Sequence, residues 1–204
     1  MLSKSSTSYY EMDETIRKVM EHWDALDLRE LPKSVMVDFG RYLFGYKPAL
    51  RFCCPPTGNF VSINVPGFVK VFKGMIYIAR DHFNLNLLAE ADNSILPHET
   101  LFGEMLGYPK CCVEKIASLG EIFIDPYNHV FNKKVKKHSL LDISQYCNGV
   151  ALISHVPCSI SCQASLQQAN QFYISLKSAS GSQSFCSWRD NVICYFSDKS
   201  KNTR

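Results

Sequence analysis

Val61-Ser-Ile-Asn-Val-Pro-Gly-Phe-Val-Lys-Val-Phe-Lys-Gly-Met-Ile-Tyr-Ile78 is the stretch that decides the fold class. Val61, Ile63 and Val65 alternate with Ser62 and Asn64, and Val69 and Val71 flank Lys70. Pro66-Gly67 and Lys73-Gly74 are turn signals, and Met75-Ile-Tyr-Ile78 is a short apolar run. A period of two puts alternate side chains on opposite faces of a pleated strand, and Gly or Pro between such runs reverses the chain. The spacing predicts a three-stranded antiparallel meander over about 59–79.

On either side the apolar period becomes 3.6. Ile16, Val19, Met20 and Trp23 form a stripe behind Asp13, a good N-cap, and predict a helix over 13–27. A second helix over 32–44 opens on Pro32, carries Val35, Phe39, Tyr42 and Leu43 and stops at Gly45. Further helices are expected at 82–91 (Phe83, Leu87, Leu88, Ala91), from Pro97 to Gly107, and at 109–119 between Pro109 and Gly120, whereas 121–146 shows no clear period. Gly149-Val-Ala-Leu-Ile-Ser154 reads as a buried strand. It leads through Pro157 into a helix over about 160–177 with a stripe of Leu166, Ala169, Phe172, Tyr173 and Leu176. Ser178 to Ser184 has linker composition, and 185–196 is expected to pair as a last strand. These elements describe one α+β domain over 1–177, a small antiparallel sheet (about 59–79, plus a strand near 149–154) packed with several helices. Residues 178–204 are left as a linker and a weakly structured tail.

The chain has 204 residues, of which 46% are hydrophobic and 20% charged, an ordinary globular balance that excludes a disordered chain. Nine cysteines are about 4 per cent, below the roughly 8–10 per cent of a disulfide scaffold. Residues 1–10 lack an apolar leader segment, and no apolar run approaches the roughly 20 residues that span a bilayer, so a cytoplasmic protein without membrane contact is expected. A net charge of +3 argues against nucleic acid as the main partner, and the basic run 133–138 reads as a solvated face or loop.

In a reducing compartment nine thiols remain for burial, metal binding or catalysis. Cys111 and Cys112 follow Pro109 in the first turn of one expected helix, and Cys158 and Cys162 bracket the start of another. Free N–H groups and the positive end of the helix dipole stabilise thiolates there. Soft sulfur ligands select zinc or an iron–sulfur cluster. Adjacent residues on a helix point about 100° apart, so one of the vicinal pair is expected to point away. That leaves Cys112, Cys158 and Cys162 as metal ligands, with Cys111 a fourth ligand or a neighbouring reactive thiol. His155 is at hand as ligand, proton-transfer group or hydrogen-bonded core histidine. Cys147, Cys186 and Cys194 read as small buried hydrophobes, and so do Cys53 and Cys54, with a second soft site as the alternative for that pair.

The blocks Gly107-Tyr-Pro-Lys-Cys-Cys112 and His155-Val-Pro-Cys-Ser-Ile-Ser-Cys162 resemble a family of mostly archaeal and bacterial proteins known as a domain of unknown function. Its pattern is Gly-Tyr-Pro-x-Cys-Cys followed by His-x-Pro-Cys-Ser-x-x-Cys, and the likeness covers roughly 75–177. The resemblance implies a shared cysteine site that binds metal, and it adds Tyr108 as a cofactor-contacting candidate. Three thiolates would leave one iron of a [4Fe–4S] cluster open to a small-molecule or sulfur-donor substrate. The first expectation is therefore an iron–sulfur enzyme of sulfur transfer, desulfuration or related redox chemistry, with His155 and Cys111 as catalytic candidates. The alternatives are a zinc-stabilised module that binds a partner, or a metal-free cysteine enzyme with Cys112 or Cys158 as nucleophile and His155 as base.

Overall fold

The computed structural model describes Trp23 and residues 31–54, 65–94 and 99–197. The expected helix over 13–27 lies outside this set except for Trp23, which is helical and fully buried. The expected strand at 61–65 likewise lies outside it, apart from Val65.

The described elements make an α+β fold. Helix α1 (Ser34–Leu43) leads into β1 (Ala49–Cys53), then β2 (Phe68–Phe72) and β3 (Met75–Ala79). Helices α2 (His82–Asn93), α3 (Glu99–Met105), α4 (Lys110–Leu119) and α5 (Ile124–Lys134) follow. The chain ends in α6 (Gln163–Ser178) and α7 (Gln183–Ser197). No helix among the described residues is long and apolar enough to cross a membrane.

The sheet has the order β1-β3-β2, with β3 antiparallel to both neighbours: Cys53 and Phe72 both face Met75, and Ala49 and Phe68 both face Ala79. It is not the sequential meander expected, because β1 comes from 49–53 and takes the far edge. In β1, Ala49, Leu50 and Phe52 face the interior, while Arg51 turns outward to an ion pair with Asp92 at 3.0 Å. Central β3 is buried from Ile76 to Ala79.

The run 149–154 is buried yet forms no strand. Ala151, Leu152 and Ile153 are wholly inaccessible, and their neighbourhood satisfies backbone and polar groups with side chains instead of a ladder. Arg41 donates to the Leu152 carbonyl, Trp188 Nε1 donates to the Gly149 carbonyl at 2.8 Å, and Lys47 Nζ donates to Ser154 Oγ at 3.1 Å. An apolar run therefore reported burial here, not sheet pairing.

The last strand expected at 185–196 is instead helix α7, and so the region read as a weak tail is part of the core. Phe185, Trp188, Val192 and Phe196 lie on its buried face. Trp188 stacks on Trp23 with centroids 4.8 Å apart, and Gly40 of α1 makes room for it: a Cβ there would lie 2.7 Å from the indole ring. Asp142 ties α7 to the loop after α5, accepting from Tyr195 Oη at 2.7 Å and from the His138 and Ser144 N–H groups at 2.7 and 3.0 Å.

Burial alone would push the Asp142 carboxyl up, but the hydrogen bonds from Ser144, Tyr195 and His138 outweigh it and hold the group below its ordinary 3.8. A lowered carboxylate stabilises the fold above its unfolded pKa and stops doing so as pH falls through the folded value. Asp142→Asn is expected to lose about 2 kcal/mol at pH 7 in denaturant unfolding, with the deficit shrinking below about pH 4. A pH-independent deficit would point to packing alone.

Candidate metal centre

Both cysteine blocks are delivered by turns that the sequence dictates. Helix α3 ends at Gly107, whose φ of 74° suits a residue without Cβ, and a Cβ there would sit 2.6 Å from the Pro48 ring. Pro109 then caps α4, placing Cys111 and Cys112 in its first turn. On the other side Pro157 is held by Tyr127 Oη of α5, which donates to its carbonyl at 2.8 Å. Cys162 is the N-cap of α6.

The two turns bring four sulfurs together. Cys111 Sγ lies 3.7 Å from Cys162 Sγ, Cys112 Sγ 3.6 Å from it, and the vicinal pair are 3.9 Å apart. With Cys158 the four ligand atoms all fall within 4.8 Å of one another. Cys111 does not point away. The 100° between neighbouring side-chain directions applies at Cβ, and rotation about χ1 brings the two sulfurs back together at an open helix end. Cys112 and Cys162 are buried, Cys158 half-buried and Cys111 exposed. This soft four-sulfur set is positioned to hold a metal ion.

The other cysteines do not join it. Cys53, Cys147 and Cys194 are exposed and Cys54 and Cys186 half-buried, so their expected role as buried hydrophobes is not met. The basic run is solvated as expected: Lys133, Lys134, Lys136 and Lys137 are all exposed.

Around the sulfurs lies a polar shell that reading the sequence did not find. The Cys158 N–H donates to Cys112 Sγ at 3.3 Å. Fully buried Ser165 places its hydroxyl 3.3 Å from the same sulfur and 2.8 Å from His155 Nε2. His155 therefore reaches the cluster through Ser165 and is not one of the converging ligands. Its other nitrogen, Nδ1, is buried without a partner, and its ring lies 5.1 Å from that of Tyr108.

Further back, Arg41 is 1% exposed and bridges the two halves. It donates to the Leu152 carbonyl, upstream of His155, and to Gln168 Oε1 of α6 at 3.0 Å, while Gln168 Nε2 donates to the Gly107 carbonyl at 3.1 Å. Lys47 Nζ pairs with Asp38 at 2.6 Å. Two buried cations thus share one nearby carboxylate. Burial lowers Arg41 to about 10 against the opposing pull of Asp38. Burial, reinforced by Arg41 and Lys47, brings His155 down to about 3, so the imidazole is neutral near pH 7 and too weak a base for proton abstraction.

The thiols divide sharply. Burial pushes Cys112 far up and Cys158 up to about 11. Burial pushes Cys162 up as well, but hydrogen bonding from Ser165 and from the Cys158 and Cys112 thiols outweighs it and brings the group down to about 6. Without a metal the cluster is thus one thiolate sheltered by protonated neighbours.

Fold and site together define a small α+β protein organised around a four-cysteine, metal-type centre. A family model described as "Protein of unknown function (DUF483)" matches residues 73–180, more than half of the chain, and spans every residue of the centre. The chain belongs to this family. Searches of curated proteins and of solved structures find no match.

Proposed function

We propose that Cys111, Cys112, Cys158 and Cys162 bind one tetrahedral zinc ion and that the protein is a zinc-stabilised binding module. The observation that carries this reading is the sulfur spacing. Four sulfurs about 2.3 Å from a single tetrahedral ion lie about 3.8 Å from one another. The three separations of 3.6, 3.7 and 3.9 Å cluster around that edge. In a [4Fe–4S] cluster each thiolate sits on a different iron, so the sulfurs stand about 6 Å apart. The spacing therefore favours the zinc alternative over the open cluster as the resident group.

Charge and hydrogen bonding support it. Zinc with four thiolates carries two net negative charges, and the excess cation of the Arg41–Lys47–Asp38 group acts on the adjoining His155. The Cys158 N–H and the Ser165 hydroxyl supply donors to Cys112, as a buried thiolate requires. A site closed by four protein ligands holds structure, and its zinc would fasten the start of α4 to the loop that begins α6.

X-ray absorption at the zinc edge tests the geometry directly. The expected result is a single shell of four sulfurs at about 2.3 Å with no metal–metal scattering. A short iron–iron vector would restore the cluster reading.

Metal loading also carries a proton count. Near pH 7 Cys112 and Cys158 hold their protons, so zinc must expel at least these two. Apparent affinity is expected to fall roughly 100-fold per pH unit on acidification, and a titration followed with an indicator dye should release two or more protons per zinc. Release of fewer than one would mean that these thiols are not ligands.

A further inference from the structure

Beside the metal centre lies a cavity of about 230 Å³ between α3, α4 and the segment carrying His155. Its walls include Phe102, Val113 and Ile116, and its polar residues include Glu99, Cys112 and His155. Apolar cavities of about 150 Å³ already accept benzene, so this one has room for a ring system slightly larger. It also holds a polar group that the protein does not satisfy. Nδ1 of His155, a residue 8% exposed, is buried with no partner.

The hydrogen-bond chain sets the polarity of that nitrogen. A metal-bound thiolate at Cys112 can only accept, so the Ser165 hydroxyl donates to it across 3.3 Å. With its proton committed, Ser165 Oγ accepts from His155 Nε2–H across 2.8 Å. A neutral imidazole carries one proton, so Nδ1 is left as a bare acceptor. An unsatisfied acceptor beside an apolar cavity selects a ligand that brings one donor and otherwise buries hydrocarbon.

We propose that the cavity binds a ring-sized, largely apolar small molecule whose single N–H or O–H donates to Nδ1 of His155. This deepens the zinc-module reading and rests on it, because the bound thiolate sets the direction of the chain. Glu99, half-buried on the same wall, is a control and not the acceptor in this assignment.

The test uses full-length protein with its metal content measured in the same sample. The probes are indole, which has an N–H donor, and benzofuran, of the same shape with an acceptor oxygen. Calorimetry is expected to show indole binding at least about tenfold tighter than benzofuran. The ¹⁵N resonance of His155 Nδ1 should have the shift of an unprotonated nitrogen and move on indole binding. His155→Leu should reduce indole to the level of benzofuran, and Glu99→Gln should leave it unchanged. Ile116→Trp, a half-buried position on the cavity wall, should abolish binding while the metal stays in place. The proposal is overturned if metal-replete protein binds neither probe, binds benzofuran equally or better, or keeps its indole site in Ile116→Trp. Metal loss with indole selectivity intact would instead count against the zinc reading, so the two failures are separable.

Discussion

Replacing Cys162 by serine is expected to strip the metal from the protein, while Cys194→Ser leaves it in place. Cys162 is the hub of the sulfur cluster, 3.7 Å from Cys111 and 3.6 Å from Cys112, and as N-cap of α6 it joins the second block to the first. Structural zinc contributes about 10–16 kcal/mol over four ligands, so losing one thiolate removes roughly 3–4 kcal/mol, a weakening on the order of several hundred-fold. The remaining three thiols are left buried or half-buried without their ion, and thermal stability should fall with the metal. Cys194 is exposed on α7 and outside the cluster. Metal analysis after gel filtration in a weak chelator reads the difference. Equal retention in the two variants would move the centre elsewhere.

The second large effect is expected far from any sulfur. Arg41→Met should cost about 3–5 kcal/mol, the range for removing one partner from a buried charged network. The substitution keeps the bulk over the Phe172 ring but leaves the Leu152 carbonyl and Gln168 Oε1 buried without their donor. Asp38 still has Lys47, so the loss arises chiefly from those two acceptors. Gln168 holds Gly107 in turn, so both cysteine blocks should loosen and metal affinity should drop with stability. At roughly 2–4 °C per kcal/mol the melting temperature should fall by about 10 °C. Arg41→Lys should not rescue it, since one ammonium cannot reproduce the two-sided fork. A neutral result would mean that the bridge does not position the site.

The two cysteine blocks were legible because proline, cysteine and glycine sit at helix starts and stops, where local chemistry dictates structure. The helices at 32–44, 82–91, 109–119 and 160–177 were found for the same reason, each within a few residues of its observed limits. What escaped depended on distant partners. β1 is only five residues long with Arg51 at its centre, and it becomes a strand because β3 offers a partner. Helix α7 carries a helical stripe, Phe185, Trp188, Val192 and Phe196, but the serine-rich segment before it suggested a loose tail. Ser165 and Arg41 gave no pattern at all. A lone serine three residues after Cys162 could have been suspected from its place in the first turn of α6, while nothing local marks Arg41 as a bridge between Leu152 and Gln168.

Metal and acid-labile sulfide content of the full chain, purified without air, bears most directly on the central claim. The four-thiolate reading predicts close to one zinc per chain, no sulfide and a colourless protein. About four irons with matching sulfide and a brown absorption near about 400 nm would contradict it and return the site to an iron–sulfur cluster. A chain that carries no metal at all would contradict both.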